Sequence, residues 1–264
     1  MTNRQQNASP SQWVDEILAS IDDQGTALRS TTPRARLQEL LTQLPTSRIA
    51  ERAWPLLDQL WAHESQQRPQ FMASAVPRMA LEGINSRLSV WRGDITQLSI
   101  DAIVNAANSG LTGCYQPFHA CVDNAIHSAA GPRLRAQCEA IMAARARTEP
   151  TATATLTDGF FLPAKHVIHT VGPIVRGRGP SADDRAMLAR CYEQCLSAAA
   201  ENGLQSVAFC GISTGVFGYP ASHAAPLAVA TTRAWLKHDS RIQHVVFVTW
   251  TDADTAVYRL LEGD

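Results

Sequence analysis

The amino-acid sequence predicts an α/β protein in which helices cover both faces of a central sheet, preceded by a helical segment. Three observations support this fold class. From residue 88 onward, short apolar runs of strand length alternate with longer segments of helical spacing, the pattern of strands connected by helices. Glycine-containing loops follow several of the predicted strands. The first 80 residues contain a single glycine, Gly25, and place leucines at helical spacing.

Residues 1–80 are therefore predicted to form a helical extension, and residues 81–264 the main domain. Thr32 followed by Pro33 is typical of a helix start, an N-cap with proline at the first helical position. The predicted helices of the extension cover residues 12–21, begin at Pro33 and end before Pro45, and begin again at Pro55. A linker is predicted at residues 68–77. No catalytic chemistry is evident in this extension, which is interpreted as a cap on the main domain.

The main domain is predicted to contain five strands and four helices. The strands cover residues 88–92, 102–106, 166–171, 206–210 and 244–250. The helices cover residues 121–130, 132–147, 181–202 and 221–238. Ligands of such sheets bind at the carboxyl ends of the strands, so the loops at those ends are the candidates for a binding site.

Two glycine-containing loops, residues 105–113 and 211–220, follow strands and lead into helices. Successive backbone N–H groups in such loops form an anion cradle, and the positive end of the next helix adds to it. Neither the G-x-G-x-x-G fingerprint of dinucleotide-binding dehydrogenases nor a P-loop occurs in the chain. The H-x-E and P-C-x-x-C pair of zinc deaminases is also absent.

Cys114, His119 and Cys121 place two thiols and an imidazole within eight positions. Sulfur and nitrogen ligands at this density favour zinc, and three protein ligands leave a fourth position open, as a catalytic zinc requires. Two alternatives remain. A structural zinc closed by Asp123 or a distant cysteine is one, and a loop histidine beside two buried thiols is the other.

Composition excludes several classes of protein. The formal net charge is −1 over 264 residues, so a general nucleic-acid-binding surface is not indicated. No apolar run reaches the length of a membrane span, and the start lacks a secretory apolar region. Reduced thiols and a cytoplasmic location are expected. Four further cysteines are predicted to pack in the core as small apolar residues: Cys138, Cys191, Cys195 and Cys210.

Four motifs occur in order at residues 90–96, 101–108, 162–173 and 212–220. Together they resemble the macrodomain, the ADP-ribose-binding module, over about residue 88 to the C-terminus. The resemblance implies a three-layer α/β/α fold with a mixed central sheet. The segment from Cys114 to Cys121 replaces the glycine run of the commonest macrodomain hydrolases. It is similar instead to the zinc-dependent branch of microbial macrodomains, which also carries a helical N-terminal extension.

The resemblance also implies roles for individual residues. Asp123, on the first turn of its helix, corresponds to the catalytic aspartate, and Asn108 to the asparagine that holds the distal ribose. Asp94 and the backbone N–H of Ile95 correspond to the groups that bind adenine. The ligand-binding residues expected are Asp94, Ile95, Asn105, Asn108, Ser213, Thr214, Gly215, Val216, Phe217 and Trp250. His127 is interpreted as a supporting or core residue.

The function predicted is that of a monomeric, zinc-dependent hydrolase that removes mono-ADP-ribose from an acidic side chain of a modified protein. The resemblance implies that some such enzymes act on a lipoyl-carrier protein modified by a sirtuin-type transferase. The alternative is a non-catalytic ADP-ribose-binding module with a structural zinc. A phosphatase or deacetylase of ADP-ribose derivatives would fit the same pocket.

Overall fold

A computed structural model describes residues 9–23, 25–80, 82–177 and 179–261. Its main sheet has six strands. Their spatial order is β2 (Leu88–Arg92), β8 (His244–Thr249), β7 (Ser206–Phe209), β4 (Ala102–Ala106), β6 (His166–Thr170) and β5 (Thr155–Asp158). All neighbours in this sheet pair in parallel except β5, which runs antiparallel to β6 at one edge. The predicted mixed sheet with helices on both faces is therefore confirmed. Because five of its strands are parallel, their carboxyl ends lie on the same side of the sheet.

The element bounds follow the predicted order closely. The strands are β1 (Phe71–Met72), β2 (Leu88–Arg92), β3 (Leu98–Ser99), β4 (Ala102–Ala106), β5 (Thr155–Asp158), β6 (His166–Thr170), β7 (Ser206–Phe209) and β8 (His244–Thr249). The helices are α1 (Pro10–Leu18), α2 (Pro33–Gln43), α3 (Trp54–Gln67), α4 (Val122–Ala130), α5 (Pro132–Arg145), α6 (Ala182–Glu201), α7 (Ala221–His238) and α8 (Asp252–Arg259).

The elements that were not predicted are short or lie at an edge. Strand β5 has only four residues, of which two are polar threonines with buried side chains. Helix α8 is eight residues long and begins with a capping box formed by Thr251 and Asp254. Strand β1 lies in the predicted linker and pairs with β3. The linker is therefore partly ordered against the main domain, and the boundary at residue 80 stays a prediction.

Apolar side chains fill both faces of the sheet. Helices α6, α7 and α8 contribute to one core, which includes the aromatic series Tyr192, Phe209, Phe247 and Tyr258. Helices α4 and α5 contribute to the other, through Ile126 and Leu134. The four cysteines predicted to be core residues are all buried and free of disulfides, which confirms that prediction.

The extension has an apolar core of its own. Trp13 and Ile17 of α1 pack with Leu37 of α2 and with Leu57 and Leu60 of α3. The proline start signals are confirmed at α2, where the Thr32 side chain caps the first turn, and at α3, where proline follows the first residue. None of the helices within the described ranges combines the length and apolar character that crossing a bilayer requires.

Candidate functional site

The candidate site lies at the sheet edge where β2, β4, β6, β7 and β8 end, since these strands are parallel. The loops that follow them meet there. They contain Asp94 after β2, the segment 107–121 after β4, the segment 211–220 after β7 and Trp250 after β8. Parallel pairing therefore brings together the segments in which the sequence predicted chemistry.

The ligand loop, residues 113–121, holds the three predicted metal ligands close together. One ligand atom from each of Cys114, His119 and Cys121 lies within 4.8 Å of the others, and all three residues are half-buried. Cys114 Sγ lies 3.6 Å from His119 Nδ1. This set of two sulfurs and one imidazole nitrogen, open to solvent on one side, fits a zinc ion with a vacant coordination position.

Cys121 is also the N-cap of α4, and its Sγ accepts a hydrogen bond from the backbone N–H of Asn124 (3.4 Å). Burial, assisted by the neighbouring Cys114 sulfur, raises the pKa of the Cys121 thiol to about 11, although the Asn124 amide opposes this rise. A raised pKa favours the protonated thiol. A divalent cation reverses this effect, because a thiol that coordinates a metal is deprotonated. The loop thus gains its anionic ligands when a metal binds.

Asp123 lies on the first turn of α4, as predicted, and is only 6% exposed. Its Oδ1 accepts a hydrogen bond from Asn105 Nδ2 (2.8 Å), and its Oδ2 accepts a longer one from Asn108 Nδ2 (3.4 Å). Burial raises the pKa of Asp123 to about 6, against the opposing effects of the Asn105 amide and the Arg135 guanidinium. The carboxylate is therefore held by two amides, that of Asn105 near the end of β4 and that of Asn108 in the loop that follows.

Asn105 is fully buried and lies behind Asp123. Its amide nitrogen also lies 3.1 Å from His169 Nδ1. Since both Asn105 N–H groups donate, His169 must carry its proton on Nε2, which lies 2.9 Å from Thr157 Oγ1. The sequence predicted Asn105 as a ligand-binding residue. In the structure Asn105 has no exposed surface and anchors Asp123, and its direct contact with a ligand stays a prediction.

His127 lies one turn after Asp123 on α4, with its Nε2 3.6 Å from Asp123 Oδ1. Burial, reinforced by His169 and Arg135, lowers the pKa of His127 well below its usual range, so the ring is neutral. Gly113, whose φ is +84°, packs against this ring, and a Cβ there would lie 2.8 Å from His127 Cγ. The His127 ring thus packs against the start of the ligand loop at Gly113, in line with the supporting role predicted for this residue.

A second group of metal-type ligands lies beneath Asp123. His127, Cys138 and His169 bring one ligand atom each within 4.8 Å of one another, and all three are buried. Burial lowers the pKa of His169 to about 3 and raises the pKa of the Cys138 thiol to about 12. We call this the buried cluster. It consists of neutral groups, and both ring nitrogens of His169 already have hydrogen-bond partners.

The loop of residues 211–220 presents its tip to solvent. Val216 is 79% exposed and Gly215 is also exposed, whereas Phe217 packs against the core under α4. Ser213 is buried with φ of +64°, and a side chain at Gly172 would collide with its hydroxyl. This close approach explains the glycine at position 172. Thr214 closes the turn through a hydrogen bond from its hydroxyl to Gly211 O (2.9 Å).

The predicted adenine-binding residues lie at the opposite end of the edge. Asp94 caps a short 3-10 helix, Ile95–Gln97, and its Oδ1 accepts hydrogen bonds from Thr96 N (2.9 Å) and Thr96 Oγ1 (2.8 Å). Ile95 is buried. Trp250 is 71% exposed, and its carbonyl lies next to Arg92, which links the end of β8 to the end of β2. Its indole is thus free to contact a ligand.

Sequence reasoning missed Arg135. This residue is 4% exposed on α5, and its guanidinium contacts the ligand loop and acts on the pKa of both Asp123 and His127. In the sequence it stands two residues after Arg133, in an ordinary helix start. Only the packing of α2 against α4 and α5 buries one of these two arginines, so no local pattern distinguishes them.

Comparison with known proteins gives consistent results. The Macro domain family matches residues 104–228. A "Protein-ADP-ribose hydrolase" of Treponema medium is 53% identical over 172 residues, which are 65% of this chain and 66% of that relative, slightly less than two thirds of its length. The Trypanosoma brucei macrodomain in complex with ADP-ribose superposes with a TM-score of 0.65 at 28% identity, covering 97% of this chain and 96% of that one. The Oceanobacillus iheyensis macrodomain with ADP gives 0.61 at 35% identity, covering 69% of this chain and 96% of that one. The chain therefore belongs to the macrodomain family.

Proposed function

We propose that this protein hydrolyses the bond between mono-ADP-ribose and an acidic side chain of a modified protein, with the help of a zinc ion. One observation carries the proposal. Asp123 is anchored by two asparagines and follows Cys121 by two positions in the sequence, at the carboxyl ends of the strands, where the glycine-containing loops meet. The relative in Treponema medium is named a protein-ADP-ribose hydrolase, and the Trypanosoma brucei macrodomain was solved with ADP-ribose. Both are consistent with this activity.

The ligand in this proposal lies along the sheet edge. Asp94 and the N–H of Ile95 bind the adenine at one end, with the Trp250 indole beside it. Backbone groups of residues 213–217 bind the diphosphate, as N–H groups of glycine-containing loops do elsewhere. The distal ribose then lies near Asn108 and Phe217. This orientation directs the modified carbon of the sugar toward the ligand loop.

Hydrolysis adds water across the bond from C1 of the distal ribose to the ester oxygen. Asp123 orients the water and accepts its proton, and the side-chain carboxylate of the target protein leaves. Asn105 and Asn108 hold the Asp123 carboxylate in one orientation through their amide groups. Cys114, His119 and Cys121 would hold the zinc ion, which supplies Lewis acidity beside the sugar.

Metal analysis joined to a turnover assay tests the proposal. We expect about one zinc ion per chain, because the chain offers one three-ligand loop for it. The protein should release free ADP-ribose from a mono-ADP-ribosylated protein, and chelation of the metal should abolish this release. Zinc should restore it. Full turnover by zinc-free protein would disprove the metal role. Tight binding without release would make the protein an ADP-ribose-binding module, and release only from small ADP-ribose derivatives would redirect the substrate class.

A further inference from the structure

The helical extension docks on the turn between α4 and α5. Trp61 Nε1 donates to the carbonyl of Ser128 (2.8 Å), and Arg68 donates to the carbonyl of Ala129 (2.8 Å). These are carbonyls at the C-terminal end of α4, which lack partners within the helix. Gly131 joins the two helices with φ of +86°, and a Cβ there would lie 2.8 Å from the Trp61 ring. The extension therefore contacts the helix that carries Asp123.

Arg135 extends this contact to the metal ligands. One of its terminal nitrogens donates to the carbonyl of Thr42 at the end of α2 (3.0 Å). The other donates to the carbonyl of Cys114 (3.4 Å), the first residue of the proposed ligand set. The guanidinium also lies over the ring of Tyr115, 4.8 Å from its centroid. One buried side chain thus bridges the extension and the ligand loop.

We propose that Arg135 is a positioning residue that ties the ligand loop to the helical extension, so that the extension sets the geometry of the metal ligands. The planar fork of arginine suits this task because its donors point to two carbonyls at once, which a lysine ammonium on a flexible stem does not do. A buried guanidinium also strongly requires its partners, since an unpaired buried charge is costly. The inference deepens the proposed function and rests on it, because the ligands that Arg135 positions are those of the proposed zinc site.

Arg133 is a matched control on the same helix. It also reaches the extension, through an ion pair with Asp58 (2.7 Å), and it also lies over an aromatic ring, with its guanidinium carbon 4.5 Å from the centroid of Trp54. The two arginines differ in partners and in burial. The ion pair and the ring contact of Arg133 both go to α3, and its side chain is 39% exposed. Arg135 is 4% exposed and donates to the carbonyl of Cys114 in the ligand loop. Loss of Arg133 weakens docking alone, whereas loss of Arg135 also releases the ligand loop.

Hydrogen exchange by mass spectrometry on the full-length protein tests this assignment. In Arg135→Met, the amides of residues 113–121 should exchange about tenfold faster or more, with the sheet unchanged. Arg133→Met should leave the exchange of that loop at the wild-type rate. Equal exchange in the loop of both variants, or a uniform rise over the whole chain, would overturn the proposal.

Arg135→Lys separates charge from bridging and keeps the protein testable if Arg135→Met does not fold. We expect the loop of the lysine variant to exchange as fast as that of Arg135→Met. We also expect this variant to bind zinc about 10- to 100-fold more weakly than the wild type, the usual effect of losing a group that orients a ligand. Wild-type exchange in Arg135→Lys would show that charge alone suffices, and the bridge would be wrong. Exchange does not depend on turnover, so a protein that fails to hydrolyse ADP-ribose but shows this pattern would contradict the proposed function and leave the positioning role intact.

Discussion

Two groups of sulfur and imidazole ligands occur in the described part of the chain, one before Asp123 in the sequence and one after it. The ligand loop carries Cys114, His119 and Cys121, and the buried cluster carries His127, Cys138 and His169. Both contain a mixture of cysteine and histidine, and in both the ligand atoms lie within 4.8 Å of one another. They differ in solvent exposure: the residues of the loop are half-buried, and those of the cluster are buried.

We infer from this comparison that ligand chemistry alone does not decide which of the two groups binds a metal ion. In the buried cluster the hydrogen bonds of His169 occupy both ring nitrogens, and the nearby Arg135 guanidinium disfavours another cation. In the loop all three ligand residues are half-buried, and each sulfur accepts one backbone N–H: Cys121 Sγ from Asn124 and Cys114 Sγ from Gln116. Cations therefore meet a lower desolvation cost in the loop, and the cluster serves as neutral support for Asp123.

The same substitution in each group should have opposite consequences. We expect Cys114→Ala to lose zinc and to lower turnover of a mono-ADP-ribosylated protein by about 10³-fold, because metal polarisation is worth several kcal/mol. Cys138→Ala should retain zinc at the wild-type stoichiometry and stay within about tenfold of wild-type turnover, since only a small buried group is removed. Metal analysis and turnover of the two variants give the answer. If Cys114→Ala retained zinc and Cys138→Ala lost it, the buried cluster rather than the ligand loop would be the metal site.

The carboxylate between the two groups should matter to chemistry more than to binding. Asp123→Asn should lower turnover by about 10²- to 10³-fold, the usual contribution of a positioned base, with little change in ADP-ribose affinity measured by calorimetry. Asp183→Asn is the matched control, because Asp183 is also a first-turn helix carboxylate but lies exposed on α6. Equal effects of the two substitutions would reduce Asp123 to a carboxylate that merely stabilises its helix.

Asn105 links the buried cluster to Asp123, and its removal should show how much that link contributes. Asn105→Ala should lower kcat by about 10- to 100-fold and leave KM nearly unchanged, since a hydrogen bond to a charged group is worth about 1.5–3 kcal/mol. Steady-state kinetics on a mono-ADP-ribosylated protein separates the two constants. A rise in KM at constant kcat would instead support direct contact between Asn105 and the ligand.

The fold and the ligand loop could be predicted because their signals are local. Alternation of strands and helices, proline start signals and the spacing of Cys114, His119 and Cys121 all lie within short segments of the sequence. Strand β5 was missed because it has only four residues at an edge. Arg135 was missed because its burial arises from packing between α2, α4 and α5. The role of Asn105 depends on a pairing of β4 with β6 that sets it next to His169.

The smallest effect should appear in stability, and it should come from the buried cluster. His169 has a folded-state pKa of about 3 against about 6.5 for an unfolded chain. The unfolded state therefore binds the extra proton first. The stability contributed by the neutral ring is fully present above pH 6.5 and is lost as the pH falls below it. Between pH 7.5 and 5.5 the loss amounts to about 1.4 kcal/mol for one histidine.

Urea unfolding at the two pH values measures this loss of unfolding free energy. The loss should be correspondingly smaller in His169→Gln, while His223→Gln, which changes an exposed histidine on α7, keeps the wild-type loss. An unchanged drop in His169→Gln would mean that this ring takes up its proton in the folded protein, and the cluster would then carry charge beneath Asp123 rather than neutral support.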